Sequence, residues 1–134
     1  MNLGIVVSET YWDEITGKML DLAVRTARES GAVVEKVIKV PGSFDIPLAV
    51  KKLLKMKTID GVVTLGAVVQ GDTDHDGVIS YSIVPALVQL SLEFEKPVTL
   101  GVNGPKMTMK KAIARIGRAA DVTKACVEMV KRLG

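Results

Sequence analysis

Four short apolar runs, each followed by a stretch with helical spacing, restrict this chain to very few architectures. Asn2 to Ser8, centred on Leu-Gly-Ile-Val-Val, reads as a buried strand. Trp12 to Ser30 then sets Ile15, Met19, Leu22, Ala23 and Ala27 at helical spacing, with Gly31 placed to end the helix. Val33 to Val40, rich in β-branched residues, is a second strand broken by Pro41-Gly42. A second helix starts at Phe44 or Pro47 and runs to Lys57, with Pro47 tolerable only in its first turn. Gly61 to Val68 is the third strand. Val78 to Phe94 has helical spacing late in the run, and Pro85 predicts either a broken helix or one starting near Val84. Pro97 to Val102 is the fourth strand, Asn103-Gly104-Pro105 a turn, and Thr108 the cap of a last helix reaching Leu133. That helix carries Ile113, Ile116, Ala120, Cys126, Val127 and Val130 on one face.

Strand–helix alternation without linker, repeat or low-complexity segment predicts an α/β three-layer sandwich. Its four-stranded parallel sheet is flanked by helices on both faces and joined by right-handed crossovers. At 134 residues the expectation is one domain, residues 1–134, with a core that needs no staples.

Composition narrows the function. A net charge of +3 is mild, and the densest basic cluster, Lys51, Lys52, Lys55 and Lys57, reads as the solvated side of a helix. Aromatics at 4% are too few for base stacking, so no nucleic-acid partner is expected. Cys126 is the sole cysteine and reads as a small buried hydrophobe, which suits a reducing cytoplasm. No apolar run nears the roughly 20 residues that span a bilayer, and no basic leader opens the chain, so no membrane association is expected.

In a parallel sheet the carboxyl ends of the strands share one edge, and ligands bind in the crevice there. Three strand ends bring polar or special residues to that edge: Glu9 to Asp13, Pro41 to Asp45, and Gly71 to Asp76. Tyr11 or Trp12, together with Phe44, offers flat surface for a planar ring, and Ser43 and Asp45 offer hydrogen bonds to that ring or an attached polyol. Gly71-Asp72-Thr73 offers backbone N–H groups and a hydroxyl to a phosphate. His75, the only histidine, follows at once and suits proton transfer beside an anion. Asp72, Asp74, His75 and Asp76 do not read as a metal site, because a single nitrogen ligand is thin for a transition metal. Arg115, by itself, reads as a surface charge.

Taken together, PGSFDIPLA (Pro41 to Ala49), GAVVQGDTDHD (Gly66 to Asp76) and PVTLGVNGP (Pro97 to Pro105) resemble lumazine synthases, especially the short archaeal members. The match runs in order along essentially the whole chain. The resemblance implies a flavodoxin-like fold and the penultimate step of riboflavin biosynthesis. There 5-amino-6-(ribitylamino)uracil condenses with 3,4-dihydroxy-2-butanone 4-phosphate to give 6,7-dimethyl-8-ribityllumazine, phosphate and water. It implies no cofactor and no metal. Carried over position by position, His75 relays protons, and Gly71, Asp72, Thr73 and Arg115 bind phosphate. Ser43, Phe44 and Asp45 hold the pyrimidinedione and ribityl chain, with backbone contacts at Val68 and Val69. Leu100 stands where many relatives carry a pocket-closing phenylalanine. The resemblance further implies a homopentamer, in some relatives closed into a shell of sixty chains. The stretch Leu100 to Asn103 and Arg115 would then serve a neighbour's site.

Some positions depart from the family pattern. Asp45 replaces a commoner glutamate and is one methylene shorter. Counting back from Ile15-Thr16 selects Tyr11 as the stacking ring, whereas the aromatic-then-short-polar pattern selects Trp12, which is preferred, with Asp13 in place of asparagine. A lysine frequent on the last helix falls at Thr123, one place from Lys124. Two other functions compete: an archaeal-type riboflavin synthase, which lacks the arrangement of Thr73 and His75, and a non-catalytic flavin- or phosphate-binding module.

Overall fold

The computed structural model describes residues 1–134. Four parallel strands, β1 (Asn2–Ser8), β2 (Val33–Val40), β3 (Gly61–Val69) and β4 (Val98–Met107), form one sheet in the order β2-β1-β3-β4. The central strands β1 and β3 are buried on both sides, as their unbroken apolar sequences require. Alternate residues divide between two cores. Leu3, Ile5 and Val7 join Val63, Leu65 and Ala67 under α1 (Gly17–Glu29) and α5 (Arg118–Leu133). Val6, Val62, Val68 and Val102 face α2 (Ile46–Leu54) and α3 (His75–Phe94) on the other side. A fully buried Leu, Ile or Val contributes about 1.5–3 kcal/mol, so these two layers hold the sandwich together. The three-layer α/β architecture expected from the alternation is the one observed.

The differences lie at element ends. α1 is preceded by a π-helical turn, Trp12–Thr16, and α2 by a 3₁₀ turn, Ser43–Asp45. α2 stops at Leu54 rather than Lys57, where Lys96 Nζ donates to the Leu54 and Met56 carbonyls at 2.9 and 3.0 Å. α3 is neither broken nor delayed to Val84; it runs unbroken from His75 through Pro85. The expected break fails because Pro85 and Tyr81 both lie on the outer side, where water can take up the carbonyl left unpaired. Ile83 and Leu87 meanwhile dock the helix on the sheet.

This continuity also overturns the expectation about apolar length. α3 spans 20 residues and its most apolar 18-residue stretch has a mean hydropathy of 1.4, long and apolar enough to cross a membrane by length and composition alone. Its outer side carries a stripe, Val78, Tyr81, Val84, Val88 and Leu92, that the chain itself leaves uncovered.

β4 does not turn at Asn103-Gly104-Pro105. It continues to Met107 through a bulge, in which Ala67 pairs with Asn103 and Val69 with Met107. Gly104 has φ 122°, and a Cβ there would collide with the Val68 carbonyl. The last helix is also divided. Thr108 caps α4 (Met109–Ala114) by accepting the Lys111 N–H at 3.2 Å, and a corner at Arg115 to Gly117 precedes α5. Ile113 consequently lies 42% exposed instead of on the buried face.

Candidate active site

The chain leaves β1 for β2 on one side of the sheet and later reaches β4 on the other, so the connections diverge between β1 and β3. A crevice opens at such a switch point. Here it is a cavity of about 500 Å³, a volume suited to a small molecule.

Each of three strand ends supplies a wall. After β1 come Thr10 and Tyr11, whose backbone is left-handed (φ 60°, ψ 40°). The Tyr11 carbonyl accepts from both Ile15 and Thr16, at 2.9 and 3.1 Å, which is how the π-turn anchors it. A strained residue beside a π-turn is a common mark of a functional edge. After β2 come Gly42, Ser43 and Phe44. Phe44 is 66% exposed, a large flat surface with little protein over it. Ser43 is buried, and its Oγ has no hydrogen-bond partner in the chain. Gly66 makes room for that hydroxyl, since a Cβ there would come within 2.8 Å of it.

After β3 come Ala67, Val68 and Val69, then Gly71, Thr73, His75, Asp76 and Ile79. Thr73 Oγ1 accepts the His75 N–H at 3.3 Å, which leaves its O–H free to donate. His75 opens α3, so the positive end of a 20-residue helix points at this wall. Asp76 is buried, and its Oδ2 accepts the Lys106 N–H at 3.0 Å, tying the start of α3 to the β4 bulge. The wall thus offers an imidazole, hydroxyls, backbone N–H groups and apolar surface, but no lysine or arginine.

Several residues singled out in the sequence fall elsewhere. Of the two aromatic candidates, Tyr11 lines the cavity and Trp12 does not. The indole packs against Gly17, with the Lys39 ammonium 4.6 Å from its ring centroid. Asp45 is exposed and off the wall, and its Oδ2 closes the turn by accepting the Gly42 N–H at 3.0 Å. Asp72 is exposed beside the cavity rather than on it. Leu100 and Arg115 are exposed, and neither reaches this chain's own cavity. Asn103 is completely buried, so it touches no ligand. Thr123 is also buried and donates to the Ala119 carbonyl at 2.7 Å.

Thr10, Gly42, Ala67, Asp76 and Ile79 line the cavity without having been singled out as site residues. A signal existed for two of them. Once α3 begins at His75, positions 75, 76 and 79 fall on one helical side. Cys126 is buried, and loss of water pushes its thiol from 9.0 up to about 12. It is no nucleophile.

The family described as 6,7-dimethyl-8-ribityllumazine synthase matches the chain over residues 1–134. Curated proteins of that name resemble it throughout. The one from Picrophilus torridus is 47% identical over 99% of this chain and 97% of its own length. The one from Methanopyrus kandleri is 47% identical over 99% and 94%, and that from Metallosphaera sedula 48% identical over 99% and 88%.

Proposed function

The chain belongs to the 6,7-dimethyl-8-ribityllumazine synthase family, and from that premise we propose how its cavity performs the family's reaction. The activity is the penultimate step of riboflavin biosynthesis, a transferase reaction joining 5-amino-6-(ribitylamino)uracil to 3,4-dihydroxy-2-butanone 4-phosphate. The observation that carries the site assignment is the convergence of His75, Thr73, the start of α3 and the unpartnered Ser43 hydroxyl on one cavity.

In this reading the pyrimidinedione lies against Phe44 and Tyr11. Ser43 and the backbone at Val68 and Val69 hydrogen-bond its polar edge. The phosphate sits over Gly71, Asp72 and Thr73 and the first N–H groups of α3. The primary amine attacks the ketone carbonyl, and water leaves as the imine forms. Removal of the proton on C3 expels phosphate by breaking the C4–O bond and leaves an enol. Reprotonation of C4 turns it into a ketone at C3, and attack of the ribityl-bearing nitrogen on that new carbonyl closes the ring with loss of a second water. His75, beside both centres, takes and returns the protons, a contribution of roughly 10²–10⁴-fold. Holding amine and ketone in near-attack geometry supplies more, about 7–11 kcal/mol.

Phosphate carries up to two negative charges, whereas Asp72, Asp74 and Asp76 surround a wall with no permanent cation. Arg115 is exposed and free of any ion pair in the chain, whose single ion pair is Arg132 with Glu128. We therefore assign Arg115 to the phosphate of a neighbouring subunit's site, as a bidentate clamp, with Leu100 closing that pocket. The uncovered stripe on α3 supports association. A homopentamer, alone or within a sixty-chain shell, is the arrangement this reading adopts, in the cytoplasm.

Mixing the protein with both substrates tests the whole. Lumazine fluorescence is expected; riboflavin from lumazine alone, or binding without turnover, overturns the reading in favour of its competitors. His75→Ala is expected to slow turnover by roughly 10²–10³-fold without abolishing it. Arg115→Ala should cost more in kcat/KM, through the KM for the phosphate substrate.

A further inference from the structure

Asn103 has no exposed surface, yet it carries a side-chain amide. Its Nδ2 donates to the Ala112 carbonyl at 3.4 Å and to the Arg115 carbonyl at 3.3 Å. These two acceptors bracket one turn. Ala112 lies in the last turn of α4, and Arg115 is the residue at which α4 ends, with φ −101° and ψ 10°. The following corner is held within its own chain by short-range bonds alone. They run from the N–H of Ile116 to Ile113 at 3.3 Å, of Arg118 to Arg115 at 3.0 Å, of Ala119 to Ile116 at 3.0 Å and of Ala120 to Gly117 at 3.1 Å, and Gly117, just before α5, has no side chain to cap it. A rigid partner does reach it from the sheet. Asn103 pairs with Ala67, which lines the cavity of the same chain. Two carbonyl acceptors fix which end of the amide is NH₂, and the Oδ1 left over is buried without a partner. A buried amide with one atom unsatisfied is costly, which an apolar residue would avoid.

We propose that Asn103 is the positioning residue for Arg115: it pins the last turn of α4 and the Arg115 carbonyl to β4 and so sets the direction in which the guanidinium is presented. The inference rests on the assignment of Arg115 to the phosphate of the adjoining site. Asn103 touches no substrate. Its effect passes through the backbone that leads into Arg115 and through the Arg115 carbonyl, where a displacement of about 1 Å is enough to cost a large factor in rate.

Asn103→Leu keeps the volume and removes both donors, while Asn103→Asp keeps the shape and turns a donor into an acceptor facing two carbonyls. Both are compared with Arg115→Ala and with the double variant Asn103→Leu/Arg115→Ala in the assembled protein. The readouts are the KM for each substrate and inhibition by inorganic phosphate. The expected result is a rise of about tenfold in the KM for the butanone phosphate and in the phosphate inhibition constant. The KM for the uracil substrate should stay within about twofold, and Asn103→Leu should add nothing in the Arg115→Ala background. Folded, assembled Asn103 variants with unchanged phosphate affinity, or equal losses with and without Arg115, overturn the proposal. Should Asn103→Leu not assemble, Asn103→Ala, which removes both donors without adding bulk, is measured in its place with the same two outcomes. If Arg115→Ala itself leaves phosphate affinity intact, it is the premise about Arg115 that fails, and the role of Asn103 falls with it.

Discussion

The hydroxyl of Ser43 is buried against the cavity with no partner in the chain, beside a glycine that keeps space for it. A buried polar atom left open in this way is satisfied by what enters the cavity. Ser43→Ala is therefore expected to raise the KM for the ribitylaminouracil about two- to tenfold, and to leave the KM for the butanone phosphate unchanged in steady-state kinetics. Cys126 illustrates the opposite case, a reactive group made inert by burial. Its thiol is neutral in the fold up to about pH 12 but ionises near 9.0 when exposed. The folded state thus holds the proton more tightly, and this contribution is complete below pH 9 and lost as pH rises toward 12. Denaturant midpoints measured from pH 8 to 11 should fall, and should fall less steeply in Cys126→Ala.

Among the elements, α3 serves two ends. Its first turn carries His75 and Asp76 to the cavity, and the loop beyond its last turn sends Lys96 to the carbonyls that α2 leaves open. Because the strands are parallel, these lie at opposite edges of the sheet. Lys96→Met removes two charge-assisted bonds at a helix carboxyl end and is expected to cost about 1–3 kcal/mol of unfolding free energy. Urea unfolding should register that loss while kcat and both KM values stay at the parent level. The acidic residues around His75 were a legible sign that a helix starts there, since carboxylates favour a first turn. Pro85 spoke against it locally. The docking of Ile83 and Leu87 decided the matter, and that docking exists only once the sheet has formed.

At the scale of the whole molecule, the cavity has its imidazole and hydroxyls but lacks a cationic side chain, while an unpaired arginine and an apolar stripe lie outside it. The proposed association of copies would answer both at once. Val88→Glu, in the middle of the α3 stripe at 53% exposure, places a charge where a neighbour would bury it. Light scattering should then show smaller species with an unchanged circular dichroism spectrum, and lumazine formation should drop at least tenfold. Full activity from a monomeric Val88→Glu protein would end the shared-site reading.

Much of this molecule follows from periodicity alone. The four strands, their parallel sense and the edge at which Ser43, Phe44, Thr73 and His75 meet are legible because strand and helix repeats are local properties of the chain. Asn-Gly-Pro was a sound turn signal, yet β3 held the strand through it, because ladder pairing with Val69 outweighs a local preference. Which aromatic faces the cavity depended on the left-handed Tyr11 and its π-turn, features with no periodic trace. The burial of Asn103 beneath the Arg115 corner likewise had no local sign, because it joins elements distant in the chain through a side chain that only packing can enclose.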